Sequence, residues 1–285
     1  MQFFNIPVQQ HQRVTLIPNL TYQNTPYWFN QTRRDWQLDL LLPFDYAQEA
    51  THPVVLWLSG GSWQMMDRAS YLPELVFLAR AGFVVASIDY HMGSEAAFPA
   101  QVQDVRQALA YLATQQATYH LDMQQVTLMG DSAGGQVALV SAYTMGQNQL
   151  NQQPLGSSTP IKNVVAYYAP TDLAALAAQQ LQYLTPAQQF DYLAPMNFLV
   201  GQMQFDATAL QQASPVNYVK AGVPSTLLLQ GDADDWVPFE QAQLLATKLQ
   251  AVGITHDILK LRGGQHIDAR FFANVINQAV LDFIK

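Results

Sequence analysis

The stretch VTLMGDSAGGQVAL, residues 126–139, decides the fold. Val126, Thr127, Leu128 and Met129 climb into Gly130-Asp131-Ser132-Ala133-Gly134-Gly135, and the chain returns at once to apolar residues. Glycine inside an apolar segment is costly, because it loses more backbone freedom on folding than any other residue. Such a turn implies that the chain must bend sharply there or pass close to a neighbour. A strand, a tight turn and a helix in succession meet both needs, and they lift Ser132 clear of the sheet edge.

Working outward, further short runs are rich in β-branched and aromatic residues: VVLWLS (54–59), FVVASIDY (83–90), NVVAYYAP (163–170), STLLLQG (225–231) and HDILKL (256–261). Such runs predict strands. All but the last, and the run at 126–130, are nearly continuously apolar, as in strands covered on both faces of a parallel sheet. Between them lie helical patterns. Val102, Val105, Leu109 and Leu112 follow Pro99 at helical spacing, and Ala242, Leu245, Leu249 and Val252 follow Pro238. Residues 70–82 read as a helix closed by Gly82, and 268–285 as a closing helix. Strands alternating with helices predict a doubly wound α/β fold with a mostly parallel sheet. RVTLI (13–17) and LDLLLP (38–43) read as antiparallel strands added at one edge.

Residues 171–222 break this rhythm with short helices and loops, and they are too long for a simple crossover. They read as a small helical lid over one end of the sheet, or as a structural insertion remote from any site. The 285 residues otherwise read as one domain, 1–285.

With 49% hydrophobic and only 12% charged residues, the composition supports a large core and excludes a disordered chain. A net charge of -8 without any Lys/Arg run argues against nucleic acid and anionic membrane surfaces as partners. The chain has no cysteine, which excludes disulfides and thiolate metal sites. MQFFNIPVQQHQRV (1–14) has neither the basic start nor the apolar run of a secretory leader. No stretch reaches the roughly 18 apolar residues of a membrane span. The expectation is a soluble, cytoplasmic protein; the sequence carries no signal for oligomeric state.

Ser132 stands in a Gly-x-Ser-x-Gly pattern after a strand and before a helix, the setting of a nucleophile elbow. A helix starting there aims its positive end and free N–H groups at a developing oxyanion. A serine hydroxyl is a poor nucleophile unless a base takes its proton. The six histidines are His11, His52, His91, His120, His256 and His266. Only His266, in LRGGQHID (261–268), combines a strand end, a Gly-containing loop and a late position in the chain. Sites in such sheets gather at the carboxyl ends of strands. A carboxylate should orient the imidazole. GDADDWVP (231–238) supplies Asp232, Asp234 and Asp235, although an acidic loop is often only a solvated turn. The chain order, serine then acid then histidine, is that of the α/β-hydrolase sheet. WLSGGSWQ (57–64) follows the first core strand, and its two glycines let backbone N–H groups approach a bound acyl oxygen.

On these motifs the chain resembles the α/β-hydrolase superfamily over most of its length, from LDLLLP to the closing helix. Within it, the chain is similar to esterases related to hormone-sensitive lipase and to small feruloyl-esterase-like carboxylesterases. The resemblance implies a serine hydrolase that cleaves carboxylic esters of short acyl or aryl type through an acyl-enzyme. It gives the acid role to Asp234, which Val237 and Pro238 follow by three and four residues, with Asp235 as the alternative. It implies oxyanion donors at Gly61, Ser62 and Ala133. It places Trp63 against the acyl or alcohol pocket, unless Trp63 is an ordinary packed side chain. It implies a small-molecule ester as partner and neither metal nor organic cofactor. Two positions depart from the pattern. Ser59 stands where the family usually has His, and His91, in DYHMGSEAAFPAQVQDV (89–105), stands where it usually has Arg. SGGSW (59–63) also resembles the turn of kynurenine formamidases, so an arylformamidase-type amide hydrolase is the alternative. A non-catalytic binding module on the same fold is the second, because fold alone does not dictate function.

Overall fold

The computed structural model describes residues 13–27, 29–48, 51–146, 150 and 159–285. The reading of the first twelve residues, His11 included, lies outside the described residues. The elements run in chain order β1 (Val14–Tyr27), β2 (Thr32–Pro43), β3 (His52–Leu58), α1 (Leu72–Arg80), β4 (Val84–Ile88), α2 (Ala100–Thr114), α3 (Gln116–Tyr119), β5 (Leu121–Asp131) and α4 (Ser132–Thr144). They continue with β6 (Ile161–Tyr167), α5 (Leu173–Gln180), α6 (Pro186–Leu199), α7 (Ala207–Gln212), β7 (Ser225–Gly231), α8 (Glu240–Ala251), β8 (His256–Leu261) and α9 (Asn274–Ile284).

The eight strands form one sheet in the order β1-β2-β4-β3-β5-β6-β7-β8. β1 pairs with β2 and β2 with β4 antiparallel, and every later pairing is parallel. The mostly parallel sheet with antiparallel strands at one edge is therefore the architecture that the apolar runs predict.

Strand alternation divides the core in two. On β3, Val54, Leu56 and Leu58 join the layer under α2, α4 and α8, while Val55 and Trp57 join the layer under α1 and α9. Successive side chains of a strand point to opposite faces, so a strand that is covered twice must be apolar throughout. Each large apolar side chain fully buried this way contributes about 1.5–3 kcal/mol.

The central helix α4 is buried from Ala133 to Thr144. It lies so close to β3 that a Cβ at Gly134 would stand 2.0 Å from Leu58 O. That approach explains one glycine of the opening motif. Three helices, α5 to α7, occupy the 171–222 segment between β6 and β7 without a strand. The C-terminal pattern splits into a 3₁₀ turn at Ala269–Phe272 and α9.

Candidate active site

Three strand ends build the site. β5 ends at Asp131 and Ser132 opens α4, with Ser132 at φ +46°. A positive φ is strained for any residue but glycine, and strain of this kind is held at functional turns. β7 ends at Gly231 and leads to Asp234; β8 ends at Leu261 and leads to His266.

These loops bring Ser132, His266 and Asp234 together across 134 and 32 residues of chain. Ser132 Oγ lies 2.9 Å from His266 Nε2, and His266 Nδ1 lies 2.8 Å from Asp234 Oδ2. Asp234 Oδ1 accepts the N–H groups of Trp236 and Val237 at 3.0 and 2.9 Å. Its Oδ2 also accepts Gln230 Nε2 at 3.0 Å. A carboxylate that accepts on every side leaves His266 Nδ1 as the donor. That tautomer turns the Nε2 lone pair toward the serine hydroxyl. Asp234 is buried, whereas Asp232 and Asp235 are exposed. Asp232 is committed elsewhere, to Gly263 N and Lys260 Nζ, and these contacts hold its carboxyl below the ordinary range.

The His266 ring is framed by two aromatics. Tyr168 packs edge-on at 4.9 Å between ring centroids, and Trp236 stacks at 6.2 Å with 16° between planes.

The turn at 59–63 faces the serine. Gly61 has φ +130°, and a Cβ there would fall 1.4 Å from Met65 O, so only glycine fits. Ser62 and Trp63 follow at φ +55° and +56°. Gly61 O accepts from Gln64 N and Met65 N, both at 3.0 Å, which closes the turn. Ser62, Trp63, Ser132 and Ala133 form one wall of a pocket of about 280 Å³. The opposite wall comes from the 171–222 segment, with Leu176, Leu184, Tyr192, Pro195 and Met196. Trp63 is buried and fixed as well as lining the pocket. Its Nε1 donates to Gln136 Oε1 at 2.9 Å, and Gln136 Nε2 donates to Ala213 O at 2.6 Å.

Residues 38–249 match the BD-FAE family. The chain belongs to the BD-FAE family. Among curated proteins it is similar to the esterase LipQ of Mycobacterium tuberculosis, at 25% identity over 88% of this chain and 59% of that protein. It is similar also to the isoprenylcysteine alpha-carbonyl methylesterase ICME of Arabidopsis thaliana, at 22% identity over 81% of this chain and 54% of that protein. The chain thus spans little more than half the length of these relatives. Among solved structures, a truncated carbohydrate esterase from gut microbiota superposes with a TM-score of 0.78 at 24% identity, covering 97% of both chains. Esterase B from Lactobacillus rhamnosis gives 0.77 at 20% identity, covering 98% of this chain and 87% of that one. These likenesses give the α/β-hydrolase fold.

Within this BD-FAE chain, the two departures from the expected pattern have local partners. Ser59 Oγ accepts from Trp57 Nε1 at 3.1 Å, and Ser59 O accepts from the Tyr90 hydroxyl at 2.5 Å. His91 Nδ1 is paired with Asp104 Oδ2 at 2.9 Å, and its ring packs on Trp36 at 3.9 Å. Sequence reasoning missed Gln230, Gln136 and Asp131. Each is a buried polar side chain in or beside an apolar run, which was the available signal. No described helix is long and apolar enough to cross a membrane.

Proposed function

We propose that this chain is a carboxylic ester hydrolase with Ser132 as nucleophile, His266 as general base and acid, and Asp234 as the orienting carboxylate. The observation that carries this reading is the hydrogen-bonded line from Ser132 through His266 to buried Asp234, opening into an apolar pocket. In the first step Ser132 Oγ attacks the ester carbonyl carbon while its proton passes to His266 Nε2. Asp234 stabilises the imidazolium through Nδ1–H. The carbonyl electron pair moves onto oxygen, where the N–H groups of Gly61, Ser62 and Ala133 receive it. Collapse of this intermediate expels the alcohol, which takes the proton from Nε2 and leaves an acyl-serine. Water, deprotonated by His266, attacks the acyl carbon by the same route. The acid leaves, and Ser132 recovers its proton.

The substrates of this reading are short acyl or aryl esters, because a pocket of about 280 Å³ is at the small end for ligand sites. Residues 171–222 act as the lid of a single domain, since α5 and α6 contribute its far wall.

The test is a ladder of p-nitrophenyl esters, acetate through decanoate, on the wild type beside Ser132→Ala. A serine-dependent rate that falls with acyl length is expected. Turnover of N-formylkynurenine but of no ester would replace this reading with a formamidase. No turnover of either, with Ser132 unlabelled by a fluorophosphonate, would leave a binding module.

A further inference from the structure

We propose that Asp131 is a positioning residue that holds both the 59–63 turn and the His266 ring in register with Ser132. The proposal rests on the hydrolase reading above. Asp131 precedes Ser132 directly and is buried. Two arms leave its carboxyl group.

The first arm reaches the turn. Gly60 N donates to Asp131 Oδ1 at 2.6 Å, the short distance of a charge-assisted hydrogen bond. Gly60 is the immediate neighbour of Gly61, so the carboxylate that leads the nucleophile also anchors the backbone that presents the acyl-oxygen donors.

The second arm reaches the base. The Tyr71 and Tyr168 hydroxyls stand 3.1 Å apart, and the Asp131 charge acts on both. An ionised Asp131 beside this pair favours the arrangement in which the Tyr168 hydroxyl donates to that of Tyr71. Tyr168 then presents its ring edge-on to His266 at 4.9 Å. Protonated Asp131 removes that bias.

Burial pushes the Asp131 carboxyl up to about 6, against the hydrogen bond from Gly60. The titratable groups around it are Tyr71 before α1, Tyr90 after β4, Tyr167 and Tyr168 at the end of β6, and His266. Only His266 among these becomes cationic, when it takes the serine proton. Ionised Asp131 favours that state.

Asp131→Asn and Tyr71→Phe test the proposal on p-nitrophenyl butyrate. Near pH 8, Asp131→Asn should lose roughly 10- to 100-fold in kcat with KM little changed, because donors and base are displaced from the reacting carbonyl. Tyr71→Phe, which cuts only the second arm, should lose less. Below neutrality the wild-type log kcat/KM should fall with a steeper slope than that of Asp131→Asn, which lacks the carboxyl that titrates near 6. Wild-type kcat in Asp131→Asn, or an unchanged slope, would overturn the proposal while leaving the hydrolase reading intact. A wild-type protein that neither turns over esters nor labels at Ser132 would overturn both. If Asp131→Asn fails to fold, an unchanged kcat in Tyr71→Phe overturns the second arm.

Discussion

The side-chain amide of Gln230 donates to Asp234 Oδ2 at 3.0 Å, and that same oxygen faces His266 Nδ1 at 2.8 Å. Gln230 also donates to Val237 O at 2.7 Å, so one buried amide ties the carboxylate to the loop that carries it. Gln230→Leu leaves the Val237 carbonyl buried without that donor and frees one side of Asp234. We expect a loss of about 1–3 kcal/mol in stability from the unpaired carbonyl, read as a shift in urea midpoint. Gln230→Glu sets a second carboxyl beside Asp234. Like charges at this distance cannot both ionise freely, so its activity should fall more than that of Gln230→Leu at neutral pH.

Asp234 and Asp235 are adjacent but stand in opposite environments, one buried under four hydrogen bonds and the other exposed. Asp234→Asn offers His266 Nδ1 either an amide oxygen or an amide donor, and it removes the charge that steadies the imidazolium. The expected fall in kcat is on the order of 10⁴-fold, as for the same change in serine proteases. Asp235→Asn should stay within about twofold of wild type. Initial rates on p-nitrophenyl butyrate compare the two. Equal losses would return the acid role to the loop as a whole.

The strand, turn and helix around Ser132 were legible because each leaves a local mark, and the order of the candidate residues Ser132, Asp234 and His266 followed from loop positions after three apolar runs. Element ends were less so. β5 begins at Leu121, well before the apolar run at 126: Leu121 and Asp122 pair with His52 and Pro53, and Met123 to Gln125 are taken up by a register shift before Val126 pairs with Val54. Polar residues there mask a strand start. β1 and β2 extend as a long hairpin whose outer residues face solvent, so its sequence lacks the apolar continuity of the central strands. The partners of Asp131 were not legible at all. Gly60 lies 71 residues upstream, and nothing in the composition of either segment marks the pairing.

Gly61 carries a prediction of its own. Its φ of +130° and the 1.4 Å approach of Met65 O to any Cβ mean that Gly61→Ala must open the turn. On the proposed oxyanion role, the N–H groups of residues 61 and 62 would then swing off the acyl oxygen. Loss of such a donor costs about 100- to 1,000-fold in kcat. Fluorophosphonate labelling of Ser132 should slow in parallel, because the phosphonyl oxygen uses the same donors. Full labelling speed with full kcat would remove Gly61 and Ser62 from the oxyanion role.

Asp131 also makes the stability of the fold depend on pH, with a sign opposite to that of an ordinary salt-bridged carboxylate. Its carboxyl sits near 6 in the folded chain, raised by burial from 3.8. A raised carboxyl binds its proton more tightly folded than unfolded. The stabilisation this gives is present in full below the unfolded value and is lost as pH rises through the folded one. The loss levels off above about pH 7 at a cost on the order of 3 kcal/mol. Asp131→Asn carries no such cost. Its stability relative to wild type should therefore improve between about pH 4 and pH 7, while its kcat is the lower of the two. Urea unfolding of both proteins across that range measures the difference directly. Parallel curves would mean that the carboxyl does not change its proton affinity on folding, and that its buried hydrogen bonds fully offset its desolvation.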